Sequence, residues 1–464
     1  MIAAAVLVDM LRQFFPPDLS LSYLRALLTP LLQTLEMAAG GMLIAVAAGL
    51  VAGIWVAAKV PGARIVYSLL GAFRSIPDLT MAIFCVVVVG IGPAAGMLAL
   101  AIFYSAAVGK IFADLFRSAD PHPLDSLRAT GATRLSVAFF GFIPLRLKDV
   151  LSYGAYEFES AIRASVIVGA VGGGGLGTEI VGSINGFEYR RGTTLILLLI
   201  VLIAVVDQFG YLLKRRPGIL FLVMPAAAFA CWNSRPQIIA LSHSATTFAT
   251  MLPPVLSRSG LAQLPLLIGE TLEIAFGGTL LAVLAALPLG LLAARNFSPP
   301  FISLPLRRVL EALRAVPELV SGLILVALIG IGPKAGILAL GLHSAGSLGR
   351  LYAESFENIL EQPVHAIAAT GASRFAIAGF AYLPLAAAPI AVHTLFRTEW
   401  NMRAATVVGV IGAGGIGQAL FNAQQLFFYK QMMAYVLVTG VLVAVVDSGS
   451  TFVRKRMHLM DVYA

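Results

Sequence analysis

The chain has 464 residues, of which 59% are apolar and only 12% charged, and its mean hydropathy is +0.90. That leaves too few charges to coat a soluble globule and more apolar matter than its core would need, which excludes a soluble enzyme or a nucleic-acid-binding fold. The net charge of +9 is dispersed between apolar runs, from Lys59 and Arg64 to Arg454–Arg456, which is the pattern of loops kept on the cytosolic side.

In chain order, the opening run Ile2–Val8 is short, lacks a basic start and is followed by Asp9, so no cleavable signal peptide is expected. Apolar runs that approach the roughly 20 residues of a membrane-crossing helix then predict spans near 31–57, 66–90, 95–117, 148–172 and 193–213. The run "PGILFLVMPAAAFACW" (217–232) predicts one more, followed by a polar stretch over 233–260. Further spans are predicted near 268–293, 306–330, 335–357, 388–412 and 432–453. No barrel-type alternation is present, which leaves helices as the way to satisfy the backbone in lipid. Cys85 and Cys231 fall inside apolar runs and form no disulfide or metal pattern.

The second set of spans is a copy of the first. Residues 119–190 match 359–430 without a gap at an offset of 240: "ATGATR" (129–134) falls on "ATGASR" (369–374), Glu159 on Glu399, Arg163 on Arg403 and Asp207 on Asp447. Upstream, "RSIPDL" (74–79) pairs with "RAVPEL" (314–319), "GIGP" (90–93) with "GIGP" (330–333), and "TLEMA" (34–38) with "TLEIA" (271–275). Each copy holds five predicted spans, an odd number, so direct fusion would insert the second copy inverted. The extra span at 217–232 restores its orientation, giving about eleven spans in two parallel repeats with the basic loops inside. The expected domains are 1–213, a linker with one added helix at 214–264, and 265–464.

Between the third and fourth spans of each copy lie "DPHPLDSLRATGATRLSVAFFGFIP" (120–144) and "LEQPVHAIAATGASRFAIAGFAYLP" (360–384). Both read as a short surface helix, a Gly turn, a second helix, and a Pro that opens the next span. These segments resemble the EAA coupling loop of ABC importer permeases. The resemblance implies that Ala129, Gly131 and Pro144, with Ala369, Gly371 and Pro384, belong to a helix docking on a cytosolic ATPase. The family's leading Glu is replaced by Asp125 in one copy and His365 in the other, which implies docking of unequal strength.

Gly172, Gly174, Gly175 and Gly177 in "GGGGLG", and Gly412, Gly414, Gly415 and Gly417 in "GAGGIG", fit the dinucleotide fingerprint in spacing alone. No strand–helix–strand pattern surrounds them. A glycine cluster closing a span instead predicts a helix break and close approach to neighbouring helices. The stretch "FRTEWNMRAATVVGVIGAGGIGQALFNAQQLFFYKQ" (396–431) is similar to the corresponding segment of phosphonate importer permeases. The first copy keeps it more loosely, with Ser160-Ala161 where Trp400-Asn401 stand in the second. More distantly, the glycine segment is similar to that of methionine-type permeases.

Glu159/Arg163 and Glu399/Arg403 fall inside the fourth spans. Counted from Lys148, Arg163 lies roughly 22 Å along its helix, beyond the middle of a roughly 30 Å core. Two readings stand. Each pair neutralises itself at i,i+4 on one helix face, or the arginines, with Asn401, line a path for an oxyanion, which their fork of donors suits. Asp207 and Asp447 are expected to pair with nearby cations, His343 to be packed and hydrogen-bonded, and Arg190, Arg191 and Lys430 to lie in outward loops. There they are solvated or meet an anion or a docking protein.

No Walker A motif is present, since Gly109-Lys110 is followed by Ile111. The expected protein is therefore a multi-pass permease of the cell (inner) membrane with no cofactor and no catalytic or metal residues of its own. The spans imply an all-α fold, and the resemblance implies that it is of the type I importer class. What the resemblance implies is a subunit for phosphonate or a related phosphorus oxyanion, working with a cytosolic ATPase dimer that binds ATP and with an extracytoplasmic binding protein. No second copy is required. Another small solute such as phosphate or methionine, or a two-repeat secondary transporter, is the alternative.

Overall fold

Backbone in hydrocarbon has no water to bond to, so each crossing segment must close its own hydrogen bonds. Every regular element among the described residues is accordingly helical. The computed structural model describes residues 12–215, 220–239 and 248–457, and the chain divides into two units, Met1–Pro253 and Pro254–Ala464.

In the first unit a short helix, Leu21–Ala26, leads into α1 (Leu28–Ala57), α2 (Ala63–Arg74), α3 (Asp78–Val89) and α4 (Pro93–Arg117). The short surface helix α5 (Pro121–Ala129) precedes α6 (Ile143–Val168), α7 (Gly175–Asn185), α8 (Tyr189–Arg215) and α9 (Leu220–Ile239). The second unit runs α10 (Arg258–Ala293), α11 (Pro300–Ala315), α12 (Glu318–Ile329), α13 (Pro333–Glu357), α14 (Glu361–Ala369), α15 (Leu383–Val408), α16 (Gly415–Gln425) and α17 (Tyr429–Arg456). Its order repeats α1–α8.

Small residues set the packing, as expected where lipid gives helices no hydrophobic reason to associate. Gly41, Ala45, Gly49 and Gly53 line one face of α1 against α4. A Cβ on Gly49 would stand 3.0 Å from the Gly109 nitrogen, and one on Gly53 2.9 Å from the Phe112 Cβ. Gly278 and Gly290 of α10 meet Leu340 and Tyr352 of α13 at 2.8 and 2.9 Å by the same measure. α9 packs on α1, with the Cys231 thiol 3.6 Å from the Gly40 carbonyl and the Asn233 amide 3.4 Å from Glu36.

Among the described residues, six helices are long and apolar enough to cross a membrane, or up to nine segments if each bent helix pair is counted as one. That is fewer than the expected number of about eleven: α9 and α13, which fall on two of the expected spans, are not among them. α13 holds in the second unit the place α4 holds in the first, but His343, Ser344, Ser347 and Arg350 make it less apolar. The predicted continuous spans 66–90 and 306–330 need correction. Each is broken, α2 from α3 by a bend of 92° and α11 from α12 by one of 85°. Pro77 and Pro317 cap the second halves, lacking an N–H to continue a helix and driving the residue before them out of the helical region.

Candidate functional site

The polar segment between α4 and α6 folds as its spacing predicts. α5 ends at Thr130, Gly131 turns the chain at φ 79°, and a short helix over Arg134–Val137 leads through a wide turn at Ala138–Phe142 into α6, with Pro144 in its first turn. In the second unit α14 is followed by Gly371 at φ 78°, a helix Arg374–Ile377 started by the Ser373 hydroxyl, the same wide turn at Ala378–Tyr382, and α15 with Pro384. A Cβ on either glycine would meet nothing within 4 Å, so the left-handed backbone and not crowding calls for glycine. Of α5 only Leu124 is buried, and of α14 nothing is. Both helices project a free surface bearing Ala129 and Ala369. Asp125 pairs with Arg128 at 2.7 Å, whereas His365 stands 3.8 Å from Glu361. The two surfaces differ in charge.

The glycine clusters break the fourth spans. Gly172 and Gly412 sit at φ 108° and 103°, and in the first unit the chain bends by 62° before α7. A Cβ on Gly177 would lie 2.0 Å from the Val166 carbonyl oxygen, and one on Gly417 2.1 Å from that of Thr406. Two further repeated motifs meet here. The "GIGP" turn donates from Gly92 to the Gly172 carbonyl and from Gly332 to that of Gly412, both at 2.9 Å. The "TLE" threonines cap the new helices, Thr34 Oγ1 accepting from Leu176 N and Thr271 Oγ1 from Ile416 N, both at 2.9 Å. Beside them Gln33 accepts from Gly175 N at 3.0 Å and Glu270 from Gly415 N at 2.7 Å. Gly174 and Gly414 lie in the same break, at φ 84° and 96°.

The charges of the fourth spans are arranged differently in the two units. Glu159 and Arg163 form the self-neutralising i,i+4 pair at 2.9 Å. Glu399 and Arg403 do not pair with each other. Arg403 reaches Asp447 on α17 at 2.7 Å. Glu399 takes Arg454, which also donates to Ser450 at 2.7 Å and lies over the Phe396 ring. Asp447 stands nine residues before Arg456, which puts Arg403 about 14 Å in from the basic end of α17. That is near the middle of a roughly 30 Å core. Asn401 is wholly enclosed: its amide donates to Thr279 Oγ1 at 2.9 Å and its carbonyl accepts from Ser344 Oγ at 2.8 Å. It ties α15 to α10 and α13 and lines no open surface. The side chains of Asp207 and Lys214, the first repeat's counterparts of Asp447 and Arg454, lie outside the described residues.

Comparison with known proteins decides what these parts belong to. The family described as binding-protein-dependent transport system inner membrane component matches twice, over residues 45–219 and 286–459. The chain belongs to that family. Among curated relatives, the phosphate-import permease protein PhnE of Mycolicibacterium smegmatis is 29% identical over 83% of this chain and 76% of its own length. The phosphite transport system permease protein PtxC of Stutzerimonas stutzeri is 37% identical over 54% of this chain and 93% of its own. The methionine ABC transporter MetNI, solved inward-facing, is 19% identical with a TM-score of 0.39, covering 43% of this chain and 99% of that one.

For this inner membrane component, sequence reasoning found the turns, the breaks and the charged spans, and missed how they connect. The caps supplied by "TLE" and the clasp between "GIGP" and the glycine cluster were visible only as repeated letters. Also missed was Arg397, whose Nε donates to Ser344 Oγ at 2.8 Å and so extends the buried chain through Asn401 to Thr279. The first repeat has Glu157, Tyr104, Ala161 and Met42 at the equivalent places, a difference that an internal alignment does expose. His343 is packed and bonded as expected, its Nδ1 2.9 Å from the Val316 carbonyl and its Nε2 3.8 Å from Glu318. Arg191 contacts Glu188 at 2.9 Å and Asp18 at 3.5 Å. The Ser20 N–H, donating to Asp18, holds that carboxyl below the usual carboxylate range.

Proposed function

We propose that this permease forms the translocation path of an ATP-driven importer for phosphonate or a related phosphorus oxyanion such as phosphite or phosphate. The observation that carries the ATP-driven part is the duplicated exposed helix, α5 and α14, joined through a positive-φ glycine to the start of the fourth span. Two such surfaces suit a dimeric cytosolic ATPase, and residues Asp125, Ala129, Gly131 and Pro144, with His365, Ala369, Gly371 and Pro384, form the coupling joints. An extracytoplasmic binding protein delivers the solute at the opposite face. Both halves lie on one chain, so no second copy is needed. ATP is bound by the partner, and this chain holds no cofactor.

The substrate class is supported by the relatives named for phosphate and phosphite and by arginines in a membrane interior, where ionisable groups are costly and serve function. Arg163 and Arg403 are the groups proposed to meet the anion, with Glu159 and Asp447 as their counter-charges and Glu399 balanced by Arg454. The glycine breaks act as the gate. The test is uptake by cells lacking their own phosphorus transporters, given this chain together with an ATPase and a binding protein that co-purify with it. Labelled methylphosphonate, phosphite and phosphate should enter only with an ATPase competent in hydrolysis. Uptake that persists with a dead ATPase would favour a secondary transporter, and uptake confined to methionine would remove the oxyanion reading.

A further inference from the structure

We infer that α2 and α11 do not cross the membrane but lie flat in its inner interface, each seated on phospholipid. The bends of 92° and 85° turn them across α3 and α12, the halves that enter the core. Their depth follows from what they cross. Tyr67 of α2 donates to Asp114 at 3.1 Å, and Asp114 is about 31 Å along α4 from Pro93. α11 crosses α13 so closely that a Cβ on Gly346 would stand 2.6 Å from the Leu310 carbonyl oxygen, about 20 Å along from Pro333. Both crossings thus lie two thirds or more of the way through a roughly 30 Å core, at the end where α5 and α14 follow.

The side chains sort as an interfacial helix requires. Ile65, Leu69 and Phe73, four residues apart, form an exposed apolar stripe on α2, and Phe301, Pro305 and Val309 form its counterpart on α11. Beside the stripes, Arg64 and Ser68 on α2 and Arg308 on α11 are exposed on the polar edge, where lipid phosphates lie. The opposite flank, with Leu70 and Leu310, packs on α4 and α13. Protein, water and lipid therefore follow one another around each helix, and in the same sense in both copies. Such helices bury their apolar face roughly 5–10 Å into the headgroup–acyl boundary.

The test is spin labelling of the full chain, with Cys85→Ser and Cys231→Ser, in vesicles of three parts phosphatidylcholine to one of phosphatidylglycerol. Ile65→Cys, Leu69→Cys and Phe73→Cys should report one shared depth with oxygen collisions dominant, and Ser68→Cys should favour a water-borne nickel reagent. Labels at Ile44→Cys and Val51→Cys on the crossing helix α1 serve as the depth scale. Each variant must elute like the unlabelled protein. A depth that steps by about 12 Å from position 65 to 73, as a crossing helix demands, would overturn the inference. So would poor oxygen access along the stripe, since that means protein covers it.

Discussion

Arg403 and Asp447 are each other's counter-charge, so their separate removal and joint removal have different consequences. Arg403→Gln leaves Asp447 without a partner inside the span, at a cost of about 3 kcal/mol, the low end of the range because Asp447 is a quarter exposed. The thermal midpoint in detergent should fall, and Arg403→Gln with Asp447→Asn should recover most of the loss. If Arg403 meets the oxyanion, the double variant regains stability and not uptake; full uptake at matched expression would assign the pair to structure alone. Asn401→Ala, which installs the first repeat's residue, strands Thr279 and Ser344. It should cost about 2 kcal/mol, read in the same melt, and a midpoint within error of the parent would show that the bonds contribute nothing. Such partners were illegible in the sequence for a physical reason. An i,i+4 spacing shows that Glu399 and Arg403 can meet, but only the packing of α17 on α15 shows that better-placed partners, Arg454 and Asp447, take them first.

At the scale of elements, the turn glycines and the caps can be separated from the residues they join. Gly371→Ala places a side chain in left-handed backbone at about 1–2 kcal/mol, and Gly371→Pro also forces φ away from 78°. Both should insert normally, with Pro weakening co-purification of the ATPase more than Ala; unchanged recovery and uptake in both would remove the turn from coupling. Thr271→Val deletes the hydroxyl that caps α16, worth about 1 kcal/mol, and should speed amide exchange over 415–420 before any other segment. Helix, turn and break positions were legible because glycine and proline act locally. The bends at Pro77 and Pro317 were passed over because apolar residues stand on both sides of them, as Leu69–Phe73 and Leu79–Val89 do around Pro77, and hydropathy has no sense of direction. The clasp from Gly332 to Gly412 joins positions 80 residues apart in number, and no local pattern encodes it.

For the whole molecule, the odd count of spans per repeat makes sidedness a single linked question. Cysteines near Gly131 and Gly371 should resist an impermeant reagent in sealed cells, while those near 185–192 and 425–431 should react; reaction at the glycine turns would invert the topology. The family match to both repeats and the repeated element order show how much of the architecture an internal alignment contains. What it leaves out is where the copies have diverged, and that divergence has a genetic meaning. In a transporter assembled from two identical subunits, every substitution is written into both halves at once and must be tolerated twice. Here Thr279, Ser344, Asn401 and Arg397 stand in one copy while Met42, Tyr104, Ala161 and Glu157 stand in the other. Fusion into one reading frame lets each half mutate on its own account, so one can acquire a buried polar chain that the other never has to accommodate.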